Sequence, residues 1–267
     1  MLTAAAVLSW DPDPILVRLG PLAIRWYGLF FVAAFFAGYL IMMWIYRREG
    51  RDVEALDTGL MYMLGGTIVG ARLGHVLLYE PGYYLTHPLE ILKVWEGGLA
   101  SHGAAAGILI ALYLYVRRTP GVGYLWLLDR VGIVTALGGC FIRIGNFFNS
   151  EIVGTPTPGG WGVVFVRVDA LPRHPVQLYE ALAYLVSFAI LLWAYLQYAK
   201  DRRDGLLLGL FFVLVFSARF ALEFVKTPQA AYEGGFPLTV GQLLSIPLVL
   251  AGIVLMARAR PAPGPRR

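Results

Sequence analysis

The amino-acid sequence predicts an all-α integral membrane protein, built as a single membrane domain over residues 1–267 that contains a bundle of about seven transmembrane helices. Two observations predict this fold class. Of the 267 residues, 58% are hydrophobic and only 15% are charged, whereas soluble domains contain about 45–50% apolar and about 25% charged residues. The apolar residues also form long runs instead of alternating with polar ones, and such runs predict helices.

Seven apolar runs approach the ~20 residues that a helix needs to cross the hydrocarbon core. They cover residues 21–46, 56–79, 98–116, 124–142, 176–198, 205–222 and 238–257. Arginine and lysine are concentrated after the first, third, fifth and seventh runs, and the other connections are poorer in basic residues. Because cytoplasmic loops are enriched in basic residues, we expect the N-terminus outside and the C-terminus in the cytoplasm.

The longest connection, residues 145–175, is rich in glycine and proline and contains a β-like run, W-G-V-V-F-V. On the predicted topology this connection lies on the outer side, so we expect it to form a small extracytoplasmic cap over the ends of the spans. Residues 259–267 are rich in proline and arginine and are expected to be a disordered cytoplasmic tail.

Composition also excludes several classes of function. The net charge of +5 comes from short basic clusters between apolar runs, a pattern of membrane orientation rather than nucleic-acid binding. Cys140 is the only cysteine, so an intrachain disulfide and a cysteine-rich metal site are excluded, and we expect no metal or cofactor. Met1–Trp10 contains no lysine or arginine, so no signal-peptide start is expected there.

The end of the fourth run concentrates polar side chains where an apolar helix meets the membrane boundary. Four of them fall within nine residues: Arg143, Asn146, Asn149 and Glu151. Polar groups in such a place cost free energy, and a chain usually retains them because they have a function. A guanidinium binds phosphate or carboxylate through two parallel hydrogen bonds, and Glu151 is suited to orient it. The alternative is a salt-bridged helix end, which two asparagines make less attractive.

Two further clusters contain histidine. Arg72, His75 and Tyr79 share one face of the second run, and the alternative to a functional role is a structural network in which Arg72 pairs with a carboxylate. His102 and Gly103 lie at the outer start of the third run. A histidine titrates near neutral pH and is a candidate general base, although a packing or capping role is the simpler interpretation of His102 alone.

The sixth run adds Arg219 and Glu223 at i and i+4, which predicts either an ordinary helix ion pair or a second arginine held ready for an anionic ligand. In the start of the fifth run, Gln177, Tyr179 and Glu180 are interpreted as structural polar ties. The polar clusters that contain Arg72, Arg143 and Arg219 fall at outer ends of spans, which predicts a site for an anionic lipid headgroup at the outer membrane boundary.

A transporter or channel for an organic anion is the main alternative class. Such a protein is expected to show internal repeats or helices broken near the membrane midplane. No internal repeat emerges from this sequence, and the polar residues cluster toward one leaflet, which favours an enzyme. A purely structural assembly protein does not explain why arginines recur at the outer ends of spans.

Seven motifs, in order along almost the whole chain, resemble the prolipoprotein diacylglyceryl transferase family. They are R-W-Y-G at 25–28, G-A-R-L-G-H-V-L-L-Y at 70–79, G-G-L-A-S-H-G at 97–103, R-I-G-N-F-F-N-S-E-I-V-G at 143–154, R-H-P-V-Q-L-Y-E at 173–180, R-F-A-L-E-F at 219–224 and G-Q-L-L-S-I-P at 241–247. The fourth motif is highly specific. Two positions depart from the family pattern: Ile142 stands where glycine is common, and Val215 where tyrosine is common.

The resemblance implies transfer of the diacylglyceryl group of phosphatidylglycerol to the lipobox cysteine of a prolipoprotein signal peptide, with a thioether formed and glycerol phosphate released. It implies a multi-pass protein of the bacterial inner membrane, active at the outer leaflet without a cofactor, and we expect a monomer. Matching positions give expected site residues: catalytic His102 and Arg219; lipid-binding Arg143, Tyr27, Asn146, Glu151, Gly154 and Gly103; supporting Arg72, His75, Glu223 and Asn149.

Overall fold

The computed structural model describes residues 7–158, 160–198, 203–227 and 237–259, and these residues are mostly helical. The helices are α1 (Trp26–Arg48), α2 (Val53–Leu78), α3 (Pro81–Thr86), α4 (Ser101–Arg118), α5 (Tyr124–Asn149), α6 (Val176–Tyr198), α7 (Leu206–Leu222) and α8 (Val240–Arg258). The chain divides into two compact units, one formed by Met1–Met42 with Leu128–Arg267 and the other by Met43–Leu127.

Six of the described helices are long and apolar enough to cross a membrane: α1, α2, α5, α6, α7 continued to Val225, and α8. They contain 19 to 26 residues, so at about 1.5 Å per residue each matches the ~30 Å hydrocarbon core. The predicted helical membrane architecture is therefore confirmed. The remaining predicted span coincides with α4, which has only 18 residues and ends in two arginines. The count of seven and the orientation stay predictions.

The first unit contains a small sheet of three strands beside its helices. The strands are β1 (Val7–Trp10), β4 (Gly162–Phe165) and β5 (Pro172–Arg173). Strand β1 pairs parallel with β4, and β5 pairs antiparallel with the other edge of β4. The β-like run in the connection 145–175 is thus a strand, but its partner from the start of the chain is a feature that local sequence patterns do not predict.

A separate hairpin of β2 (Ile15–Leu19) and β3 (Leu22–Arg25) leads directly into α1, so this helix begins at Trp26 and not near residue 21 as predicted. At the other end of the chain, residues 260–267 of the predicted tail lie outside the described residues.

Aromatic and aliphatic side chains join the sheet to the end of α5. Phe147, Val153, Val163 and Phe165 form a buried cluster, and Trp10 packs against it. The indole Nε1 of Trp10 donates a 2.9 Å hydrogen bond to the carbonyl of Phe147. These contacts hold the C-terminal turn of α5, where the polar residues lie, against a rigid layer.

In the second unit, α2 and α4 pack through glycines. Gly66, Gly70 and Gly74 of α2 face Gly103 and Gly107 of α4, and a Cβ atom built on any of them would overlap backbone of the facing helix. Small residues allow helices in membranes to approach closely, so that dispersion forces between backbones stabilise the contact.

Candidate functional site

The last two turns of α5 and Glu151, two residues after the helix ends, form a chain of polar contacts. Arg143 Nη1 donates to Asn146 Oδ1 at 3.3 Å, and Asn146 Nδ2 donates to Glu151 Oε2 at 3.2 Å. Asn149 Nδ2 donates to the other oxygen of Glu151 at 3.2 Å. The structure therefore brings together these four predicted residues, and Glu151 acts on Arg143 through the amide of Asn146.

The backbone around Glu151 is held in an unusual conformation. Ser150 has φ 54° and Ile152 has φ 55°, and the left-handed region costs a β-branched residue such as Ile152 on the order of 1–3 kcal/mol. The Glu151 amide donates to the Asn146 carbonyl at 3.0 Å, and Gln177 Nε2 donates to the Glu151 carbonyl at 2.7 Å. This turn ends α5 and directs the Glu151 carboxylate back toward Asn146.

Helix α6 supplies a carboxylate that the sequence interpretation treated as a structural tie. Glu180 is fully buried, and its Oε2 lies 2.9 Å from Arg143 Nε. No hydrogen bond with good geometry reaches this oxygen from the described residues, so the contact is an attraction between charges and not a directed pair. A carboxylate in the second turn of an apolar span was the available signal of a site residue.

Lys226 joins this group, although in the sequence it is only one of the few basic residues of the connections predicted to lie outside. Its Nζ lies 2.9 Å from Glu180 Oε1 and 3.1 Å from Glu223 Oε2. All three side chains are at most 7% exposed. We call Arg143, Glu180, Glu223 and Lys226 the charged cluster.

Of the two interpretations of Arg219 and Glu223, the ordinary helix ion pair is not observed. Glu223 pairs with Lys226, and within the described part of the chain no carboxylate lies within 4 Å of the Arg219 guanidinium. Glu223 is the C-cap of α7, and its amide still donates to the Arg219 carbonyl, so the i, i+4 spacing is kept. The 3-10 turn over Glu223–Val225 brings Lys226 to within 3.1 Å of the Glu223 carboxylate, and this lysine is the cation that pairs with it.

Gly154 is the junction that fixes Lys226. Its amide donates to the His174 carbonyl at 3.1 Å, and its own carbonyl accepts from Arg173 Nη1 at 3.0 Å. On its other side Gly154 forms an antiparallel bridge with Lys226. A Cβ atom at Gly154 would lie 2.5 Å from the His174 oxygen and 2.8 Å from the Val225 oxygen, so only glycine fits between the two segments.

Tyr27, in the first turn of α1, lies beside the same polar residues. A Cβ at Gly145 would come within 3.0 Å of the Tyr27 ring, so the absence of a side chain at Gly145 makes room for the tyrosine. Tyr27 interacts electrostatically with both Arg143 and Glu151. Its predicted role at the lipid stays a prediction, as do those of Asn146, Glu151 and Gly154.

Arg72 lies in the second unit. The structural alternative predicted for it was a pair with a carboxylate, but its partners are backbone carbonyls. Arg72 Nε donates to Ile91 at 2.9 Å, Nη1 to Gly97 at 2.8 Å and to Gly98 at 3.3 Å, and Nη2 to Glu90. Arg72 is 5% exposed. Through these hydrogen bonds Arg72 holds the connection between α2 and α4 against α2.

The two histidines and the glycine predicted in this unit have different surroundings. His75 stacks on Tyr79 with ring centroids 5.6 Å apart, and its Nε2 lies 3.9 Å from Glu80 Oε2. His102 is the second residue of α4 and is exposed. Gly103 forms the closest approach of α4 to α2, which gives it a packing role whether or not it contacts lipid. The roles predicted for these residues stay predictions.

Outside the spans, one ion pair stabilises the connection to β5. Arg173 Nε donates to both carboxylate oxygens of Asp169 at 3.1 Å. This contact lowers the pKa of Asp169 below its usual value and raises that of Arg173. Among the described residues, no three His, Cys, Asp or Glu side chains lie close enough to share a metal ion.

The apolar spans and the charged cluster between them define an integral membrane protein with an internal polar site. The model of the family described as prolipoprotein diacylglyceryl transferase matches residues 14–258. The chain belongs to this family of transferases.

Three relatives share the name phosphatidylglycerol–prolipoprotein diacylglyceryl transferase. The protein of Tolumonas auensis is 59% identical over 250 residues, covering 94% of this chain and 96% of the relative. That of Chloroherpeton thalassium is 49% identical over 252 residues, covering 94% of each chain. That of Porphyromonas gingivalis is 44% identical over 273 residues, covering 97% of this chain and 96% of the relative.

Proposed function

We propose that this protein transfers the diacylglyceryl group of phosphatidylglycerol to the lipobox cysteine thiol of a prolipoprotein signal peptide. The family match and the names of the relatives support the reaction. The observation that supports the site is Arg143, a nearly buried cation that shares one carboxylate with Lys226 and has an amide oxygen as its neighbour.

The reaction forms one bond and breaks another at the same carbon. The thiolate sulfur attacks the terminal glycerol carbon of the diacylglyceryl group, a C–S bond forms, and the C–O bond to phosphate breaks. Glycerol phosphate leaves with the electron pair. Because a free thiol has a pKa of about 8.5, a base that removes its proton raises the reactive fraction at neutral pH.

We assign two roles to the predicted residues: binding of the phosphate and removal of the thiol proton. Arg143 and Arg219 bind the phosphate and stabilise the negative charge that grows on it as the C–O bond breaks. His102 accepts the proton of the thiol. Tyr27, Asn146, Glu151 and Gly154 hold the lipid-binding side of the site, and Asn149 supports Glu151.

The proposed location follows the basic loops of the sequence. The protein crosses the bacterial inner membrane several times, with its N-terminus outside, its C-terminus in the cytoplasm and its site toward the outer leaflet. The connection 145–175 forms the extracytoplasmic cap, and the protein acts as a monomer.

The test is transfer by the purified protein in vesicles. Phosphatidylglycerol with a radiolabelled diacylglyceryl group is incubated with a lipobox peptide, and label on the peptide is measured; a peptide with serine in place of cysteine is the control. We expect label only on the cysteine peptide, and its loss with Arg143→Ala. Absence of transfer by the wild-type protein would overturn the proposal, and normal transfer by Arg143→Ala would remove the assigned role of Arg143.

A further inference from the structure

Lys226 lies between two buried carboxylates inside the charged cluster. Its ammonium is 2.9 Å from Glu180 and 3.1 Å from Glu223, and its side chain is 4% exposed. Buried carboxylates are very costly unless a cation neutralises them. Lys226 therefore supplies one positive charge that both carboxylates share, which halves the demand that they make on other cations.

The positions of Glu180 and Glu223 indicate that, without Lys226, both carboxylates would pair with arginines. Glu180 also lies 2.9 Å from Arg143. Glu223 is four residues after Arg219, the spacing of a helix ion pair, yet it pairs with Lys226. Without Lys226, Glu180 would have Arg143 as its only cation in the described charged cluster, and the nearest alternative for Glu223 along the chain would be Arg219.

We propose that Lys226 is a positioning residue that holds Glu180 and Glu223, so that Arg143 and Arg219 keep the positive charge that binds the phosphate of an anionic phospholipid. This inference rests on the proposed function and deepens it, because it assigns the selection of an anionic headgroup to a residue that does not touch the headgroup.

The surrounding backbone fixes Lys226 for this task. Besides the bridge to Gly154, the Thr155 amide donates to the Val225 carbonyl at 2.9 Å and the Thr227 amide to the Val153 carbonyl at 3.2 Å. Lys226 is thus held by an isolated antiparallel bridge to the segment around Gly154.

Helix α8 positions Glu223, the second carboxylate that contacts Lys226. A Cβ atom at Gly241 would lie 2.6 Å from the carboxyl carbon of Glu223, so the Glu223 carboxylate occupies the space left by this glycine. The carboxylate is therefore seated against α8, within reach of the lysine.

The experiment compares binding of two spin-labelled lipids, phosphatidylglycerol and zwitterionic phosphatidylcholine, to the full-length protein in vesicles. The ratio of the two affinities is the readout. For Lys226→Met we expect the preference for phosphatidylglycerol to fall by roughly tenfold, since two carboxylates then compete for the arginines. For Lys226→Arg, which keeps the charge, we expect a ratio within about threefold of the wild type.

A double variant separates charge from structure. Lys226→Met with Glu223→Gln removes one cation and one carboxylate together, so we expect it to recover most of the preference. It also keeps the test valid if Lys226→Met alone does not fold, because the double variant leaves only one carboxylate for Arg143. In the transfer assay, the single variant should raise KM for phosphatidylglycerol more than it lowers kcat.

Two results would overturn the inference: an unchanged lipid preference in folded Lys226→Met, or a double variant that is folded but as poor as the single one. These outcomes differ from failure of the proposed function. Lipid preference is measured without any transfer, whereas the proposed function fails if the wild-type protein transfers nothing.

Discussion

Two arginines in apolar helices, Arg72 in the second unit and Arg143 in the first, are both nearly buried but have different partners. The Arg72 donors meet four backbone carbonyls. Arg143 meets a carboxylate shared with Lys226 and an amide oxygen. The three nitrogens of the Arg72 guanidinium all donate to the backbone and so fix it, whereas the contacts of Arg143 with Glu180 and Asn146 use Nε and Nη1 and not Nη2.

The largest effects are expected when each arginine is replaced by glutamine. Arg143→Gln should lower the transfer rate by about 10²–10³-fold, the usual cost of losing a donor to developing charge, and Lys226 remains in contact with Glu180 in that variant. Arg72→Gln should instead lower the free energy of unfolding by about 3–5 kcal/mol, because it leaves several carbonyls without donors.

The measurements are the labelled-lipid transfer rate and the thermal unfolding midpoint in one detergent, for both variants. Two outcomes would contradict the distinction between the two arginines. One is a loss of transfer by Arg72→Gln with an unchanged unfolding midpoint, and the other is a loss of stability by Arg143→Gln with an unchanged transfer rate.

His102→Gln is expected to lower kcat by about 10²-fold with little change in KM, which is the lower end of the range for a general base. His87, an exposed histidine in the connection between α2 and α4, is the matched control, and His87→Gln should leave kcat unchanged. Near-normal kcat in His102→Gln would move the removal of the thiol proton to another group.

Neighbouring glycines of α2 give a test of the packing between α2 and α4. A Cβ at Gly66 would lie 2.5 Å from the Ala111 Cβ and 2.6 Å from the Gly107 oxygen, whereas a Cβ at Gly65 meets nothing within 4 Å. Gly66→Ala should therefore lower the free energy of unfolding by about 1–3 kcal/mol through overpacking. Gly65→Ala should be neutral or slightly stabilising, and equal unfolding midpoints for both variants would contradict the close helix contact.

The smallest effect concerns pH. Arg173 lowers the pKa of Asp169 in the folded protein, so the pair contributes its full stability above the unfolded pKa of about 4 and loses it as the pH falls through the folded value. Because Asp169 is partly exposed, we expect less than about 1 kcal/mol. Unfolding measured from pH 3 to 7 should show a flatter acid dependence for Asp169→Asn, and an unchanged profile would exclude the pair as its cause.

The sequence predicted the helices well because hydrophobic length is a local property. It also placed Arg143, Asn146, Asn149 and Glu151 together, since all four fall within three turns of one chain segment. The contacts of Glu180 with Arg143 and Lys226 were not predicted, because these residues are distant in sequence and meet only in the folded protein.

The Arg219–Glu223 ion pair, one of the two interpretations of that spacing, is not observed for a related reason. Spacing alone favours this pair, but Lys226 lies 3.1 Å from the Glu223 carboxylate and competes for it. Local spacing lists the possible partners of a charged side chain, and competition among cations in three dimensions selects one.

The parallel pairing of β1 with β4 has a consequence for biosynthesis. Val7 pairs with Gly162 and Trp10 with Phe165, so the first strand of the chain must wait for a partner that is translated ~150 residues later. At about 5–20 residues per second, this delay is roughly 10–30 seconds, during which several helices enter the membrane. The sheet beside the end of α5 is therefore closed late, after the helices that it joins have left the ribosome.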